Sequence, residues 1–90
     1  MNKDVINKIN EIQSAAIAAT VEGRAHVFVD YAGHIQNVHI RAYSTDTVYE
    51  TRFERLNLMY SSVYIDNELG GSDEEIISNL DEVLNEIEAL

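Results

Sequence analysis

The residues best suited to metal or acid–base chemistry are three histidines, His26, His34 and His39. If the chain folds as a hairpin with Tyr31 opposite His34, then His26 and His39 become cross-strand neighbours, and Asp30 or His34 would have to supply a third ligand. His34 would then sit in the turn at the far end, and no two histidines have the four-residue spacing of a helical ligand pair. An exposed strand histidine is the commoner case, so the expectation is no metal and no cofactor.

Other catalytic chemistry has less to stand on. Ser61 and Ser62 lie in an expected strand with no glycine elbow to present a nucleophile. The pair Gly70 and Gly71 precedes an acidic helix start, which repels phosphate. Asp46, Glu50 and Glu54 form no defined carboxylate pair. The chain has no cysteine, which removes disulfides, thiolate ligands and a thiol nucleophile and fits a reducing compartment. The expectation is a protein that binds and does not catalyse.

Charge is the stronger signal. Residues 1–55 carry all six basic residues against seven acidic ones, a net of −1, whereas residues 56–90 carry nine acidic residues and no basic one, a net of −9. The closing stretch "DEEIISNLDEVLNEIEAL" holds Asp73, Glu74, Glu75, Asp81, Glu82, Glu86 and Glu88 with no Lys or Arg among them. Glu82 and Glu86 repel each other four residues apart, and Glu86 and Glu88 stand at the negative end of the helix dipole, each costing a few tenths of a kcal/mol (~0.3). One explanation is a solvated face that keeps a small protein in solution. The other is a docking face for a basic protein surface, built from Asp73, Glu74, Asp81, Glu82, Glu86 and Glu88. A negative field disfavours nucleic acid and anionic lipid, so direct binding to either is not expected.

The elements that position these residues follow from periodicity. Val5, Ile9, Ile12, Ala16 and Ala19 form an amphipathic stripe over about 4–20, widened by Ile6 and Ile17, with Asn2 or Asn7 as N-cap and Gly23 as the stop. "RAHVFVDYAGHIQNVHIRAY" reads as two strands, 24–30 and 35–43, around a turn at "YAGH". The favoured register puts Val27 opposite Val38 and Ala25 opposite Ile40; a bulge at Gly33 would instead put Phe28 beside Val38. Residues 44–58 fit an extra edge strand or an irregular excursion, and "MYSSVYID" at 59–66 fits a further strand. Ser72 and Glu75 form a capping box, after which Ile76, Ile77, Leu80, Val83, Leu84, Ile87 and Leu90 make one apolar stripe through 72–90.

Ninety residues without proline or a linker make one domain, residues 1–90. The expected fold is α+β in two layers, with two helices on one face of a three- or four-stranded antiparallel sheet in the order αββ(β)βα. On the other sheet face, Asn37, His39, Arg41 and Tyr43 alternate along one strand. Tyr and Arg anchor many interfaces, so this face is a second candidate contact for a partner or for a homodimer. The interleaved polar residues of "MNKDVINKIN" give no signal-peptide core, and nothing later is apolar enough to span a bilayer. A soluble, cytoplasmic protein is expected, with no membrane partner.

The order helix, "HVFVDYAGHIQNVHIRAY" hairpin, "SSVYID" strand and acidic helix resembles small acidic accessory proteins of bacteriophages and prophages. The likeness spans most of the chain and lies in the pattern, not in a motif, so no binding residue is carried over. It implies a non-enzymatic protein, and some such proteins, anti-CRISPR and other anti-defence inhibitors among them, occupy a basic surface of host machinery. Two other expectations stand beside it: a self-assembling module using the open sheet face, and a small-ligand or metal-binding domain using His26 and His39.

Overall fold

A computed structural model describes residues 2–45 and 57–90. The elements are α1 (Lys3–Val21), β1 (His26–Ala32), β2 (Asn37–Tyr43), β3 (Asn57–Tyr64) and α2 (Asp73–Glu88). The strands form one antiparallel sheet in the order β1-β2-β3, so the architecture is α+β with two helices and three strands. The expected excursion at 44–58 falls mostly outside the described residues; Asn57 and Leu58 already belong to β3.

Each helix begins where its cap dictates. The Asn2 side chain accepts a hydrogen bond from the Asp4 amide at 2.7 Å, and the Ser72 hydroxyl accepts one from the Glu75 amide at 3.2 Å. α1 ends because Gly23 adopts φ +75°, a left-handed conformation that lets the Arg24 amide reach back to the Ala19 carbonyl at 2.9 Å. α1 buries Val5, Ile12, Ala16 and Ala19, while α2 buries Ile76, Leu80, Val83 and Ile87. Ile6 and Ile17, expected to widen the α1 stripe, are instead exposed at 43% and 56%, so the buried stripe is narrower than the sequence suggests.

The hairpin register corrects both sequence readings. Val27 lies opposite Ala42, Val29 opposite Ile40 and Tyr31 opposite Val38, and the turn is Gly33–Gln36 with the positive φ at Gln36 (48°), not at Gly33. His26 therefore faces Tyr43 and His39 faces Asp30, so the two histidines are not cross-strand neighbours. The cause lies in the period of a strand. Sliding one strand by an even number of residues keeps every side chain on its original face, so alternation fixes the parity of the register and not its value. The observed register carries the pairing on to Tyr43, beyond the Ile40 partner of the favoured alternative.

Alternation does place the faces as expected. Val38, Ile40 and Ala42 on β2 are fully buried and share one side with Val63 and Met59 on β3. They form a single cluster with Val5, Ile12 and Ala19 of α1 and with Ile76, Leu80, Val83 and Ile87 of α2. Burying a Val or Ile side chain fully contributes about 1.5–3 kcal/mol, so β2 is the largest single strand contribution to the core.

Between β3 and α2 the chain reverses through Gly70. A Cβ there would collide with the Tyr64 carbonyl oxygen and stand 2.8 Å from the Asp66 carbonyl oxygen, both backbone atoms that cannot swing away. At Gly33 the nearest atom would be Tyr31 Cε2 at 3.6 Å, an ordinary contact. Gly70→Ala should therefore destabilise the protein by about 1–3 kcal/mol, whereas Gly33→Ala should change stability by less than ~0.5 kcal/mol. Urea unfolding of the two variants checks the contrast.

Candidate functional site

Two surfaces hold the residues with functional potential: the outward side of α2 and the sheet face turned away from the core. The six acidic candidates on α2 are not equivalent. Asp73 accepts hydrogen bonds from Asn67 Nδ2 at 2.9 Å and from Asn2 Nδ2 at 3.1 Å, tying the starts of both helices together. Asp81 is paired with Lys8 Nζ of α1 at 2.6 Å, and the same ammonium reaches Glu11 at 3.1 Å. These bonds raise the Lys8 pKa above its ordinary value, Asp81 contributing most and Glu11 next. Glu74, Glu82, Glu86 and Glu88 are exposed and, among the described residues, form no salt bridge.

Sequence reading missed what balances the carboxyl end of α2. The Arg24 guanidinium donates from Nη1 to the Leu90 carbonyl at 2.9 Å and to the Ile87 carbonyl at 3.3 Å, while its Nε meets Glu22 at 2.7 Å. A cation distant in sequence thus caps the negative end of the dipole. The available signal was weak: Arg24 directly follows the glycine stop of α1, where the chain must turn toward the sheet.

The second surface gathers the alternating residues of β2 with their neighbours. Arg41 Cζ stands 5.2 Å from the Phe28 ring centroid, and its Nη2 lies 3.3 Å from Asp30. Phe28 also meets Tyr43 edge-on at 5.9 Å, and His39 meets Tyr60 edge-on at 4.8 Å. Asn37 Nδ2 donates to the Ser62 hydroxyl at 2.9 Å and is itself buried. Asn37, His39, Arg41 and Tyr43 therefore do share one face, joined there by Phe28, Asp30, Tyr60 and Ser62. Sequence reading had placed Asp30 near His39 only as a possible third metal ligand and had not brought Phe28 or Ser62 to this face, because the neighbours of each residue depend on the register.

Among the described residues no three His, Asp or Glu side chains are grouped to hold a metal ion. The cleft where the two helix starts meet, about 460 Å³ and lined in part by Asn2, Gln36, Asp66, Asn67 and Asp73, carries two carboxylates. It suits no anion. No helix among the described residues is long and apolar enough to cross a membrane. Comparison with known proteins finds no match to a family model, to a curated protein or to a solved structure.

The hydrogen bonds at Asp73, from Asn67 first and Asn2 second, hold its carboxyl below the ordinary carboxylate value. A depressed acid contributes stability above its unfolded pKa and loses it as pH falls through the folded value, so this contact is lost only in acid. In Asn67→Ala the Asp73 midpoint should rise toward the ordinary value, as read from its carboxyl shift in an NMR pH titration.

Proposed function

We propose that this chain is a non-catalytic protein-binding module, acting in the cytoplasm, whose acidic α2 face docks on a basic surface of a partner protein. The observation that carries this reading is the set Glu74, Glu82, Glu86 and Glu88, exposed and without salt bridges among the described residues, while Lys8 is held by Asp81 and Arg24 by backbone carbonyls at the end of α2. The resemblance in element order to phage and prophage accessory proteins extends the reading. An inhibitor of that kind would cover the nucleic-acid-binding surface of a host protein, presenting carboxylates where phosphates would lie, and would not itself bind nucleic acid.

A second reading, homodimerisation through the sheet face, draws on the exposure of Tyr60 at 62% and Leu58 at 51%. A net charge of −10 works against bringing two copies together. The histidine-based metal reading loses its basis, since His26 and His39 face different partners.

Charge steering raises association rates roughly tenfold or more and is screened over ~8–10 Å near physiological salt. Changing Glu82, Glu86 and Glu88 together to Gln should leave stability within ~0.5 kcal/mol of the parent, or raise it slightly. Capture of basic proteins from a bacterial lysate at low salt should fall by about fivefold or more. Unchanged capture with unchanged salt dependence would reduce the acidic face to a solubility feature.

A further inference from the structure

We infer that the edge of β3 left unpaired among the described residues is a strand-addition site for an extended basic segment of the partner, in which Lys or Arg alternates with apolar residues. The inference rests on the acidic docking reading and names the form of the partner.

The geometry begins with one hydrogen bond. Ile65 donates from its amide to the Gln36 carbonyl at 2.8 Å, next to the pair Asn37 and Tyr64 in the ladder. In an antiparallel pair, hydrogen-bonded positions alternate, so Val63 and Ser61 also direct their backbone groups at β2. Tyr60 and Ser62 then direct theirs away from the sheet, and among the described residues these outward groups meet no partner. The other edge is different. On β1 the outward Val27 amide lies 3.5 Å from the Thr20 hydroxyl of α1, and the strand carries a charge at Asp30.

Natural sheet edges are blunted by Lys, proline, bulges or a covering element. β3, "NLMYSSVY", has no charged residue and no proline along its eight positions, and its one register irregularity against β2 lies at the Asn57–Met59 end, leaving Tyr60 to Tyr64 regularly paired. An unpaired strand of that kind attracts another strand, and its surroundings decide which one. On the core side of the edge runs a groove of about 320 Å³ with Val63 and Val83 at its base as well as Ser61, Asn79, Glu82 and Glu86 in its lining. On the other side stands Tyr60, 62% exposed. Side chains of an added strand alternate between these two environments. Those turned toward α2 meet Glu82 and Glu86 and should be cationic; those turned the other way meet Tyr60 and should be apolar or aromatic. A second copy of this chain fits poorly, because pairing β3 with β3 would set the Glu82 and Glu86 carboxylates of both copies about one shared edge.

The test uses the whole protein and a seven-residue peptide alternating Lys or Arg with Val or Tyr. Three controls accompany it: a scrambled peptide of the same composition, the alternating peptide with Glu in place of the basic residues, and the alternating peptide N-methylated on the amides facing β3. Amide shifts in NMR spectra and binding by fluorescence anisotropy are the readouts. The alternating basic peptide should perturb Tyr60 and Ser62 and bind at least about tenfold more tightly than each control. Equal binding of the scrambled and N-methylated peptides, with shifts confined to the outward side of α2, would overturn strand addition while leaving charge docking intact. Absence of binding by every peptide would also overturn it, and the acidic face would still be judged by its own salt dependence. Concentration-dependent dimerisation with loss of the free β3 amides would assign the edge to a second copy instead.

Discussion

One strand constrains the rest of this molecule. Among the described residues β2 is the only strand paired on both sides, and its Val38, Ile40 and Ala42 are fully buried. The apolar stripes of α1 and α2 enter the cluster built on those three residues. The opposite side of β2 therefore belongs to Asn37, His39, Arg41 and Tyr43, which organise polar and aromatic neighbours from both flanking strands. The three described strands also leave two edges. α1 lies against the first and offers it the Thr20 hydroxyl; α2 lies beside the second and offers it carboxylates.

Three of the described cations are tied into the fold. Lys8 holds α1 to α2 through Asp81, and Arg24 joins the first loop to the last turn of α2. Arg41 is held on the sheet face by Phe28 and Asp30. Surface ion pairs are individually weak, roughly 0–1 kcal/mol, so their effect on stability is small. Their effect on the surface is larger, since the outward carboxylates of α2 keep their charge uncompensated by salt bridges among the described residues. That is the physical content of the acidic docking face proposed above.

Much of this was legible in the sequence. The N-cap at Ser72, which accepts from the Glu75 amide, the glycine stop at Gly23 and the 3.6-residue stripe of α2 each depend on neighbours a few residues apart, and each is found where it was expected; of the expected capping box, the Glu75 carboxylate meets the Ser72 hydroxyl at 3.3 Å and not the Ser72 amide. Period-2 alternation separated the two faces of β2 for the same reason. What the sequence could not supply was anything set by distance along the chain. Even slips of the hairpin preserve the faces, so the His26 and His39 pairing failed although both faces were assigned properly. Arg24 on the Leu90 carbonyl, Lys8 on Asp81 and Asn2 on Asp73 link residues more than sixty apart, and no local pattern announces them. The candidate acidic set was accordingly too broad, because it included Asp73 and Asp81, whose carboxylates are engaged.

The most direct measurement is amide hydrogen exchange along β3 in the isolated protein, followed residue by residue by NMR. The account predicts an alternating record: slow exchange at Ser61 and Val63, whose amides bond β2, and fast exchange at Tyr60 and Ser62, whose amides face outward beside Glu82 and Glu86. Slow exchange at Tyr60 and Ser62, unchanged on dilution, would mean that the edge is already covered within the chain. That result would contradict the account.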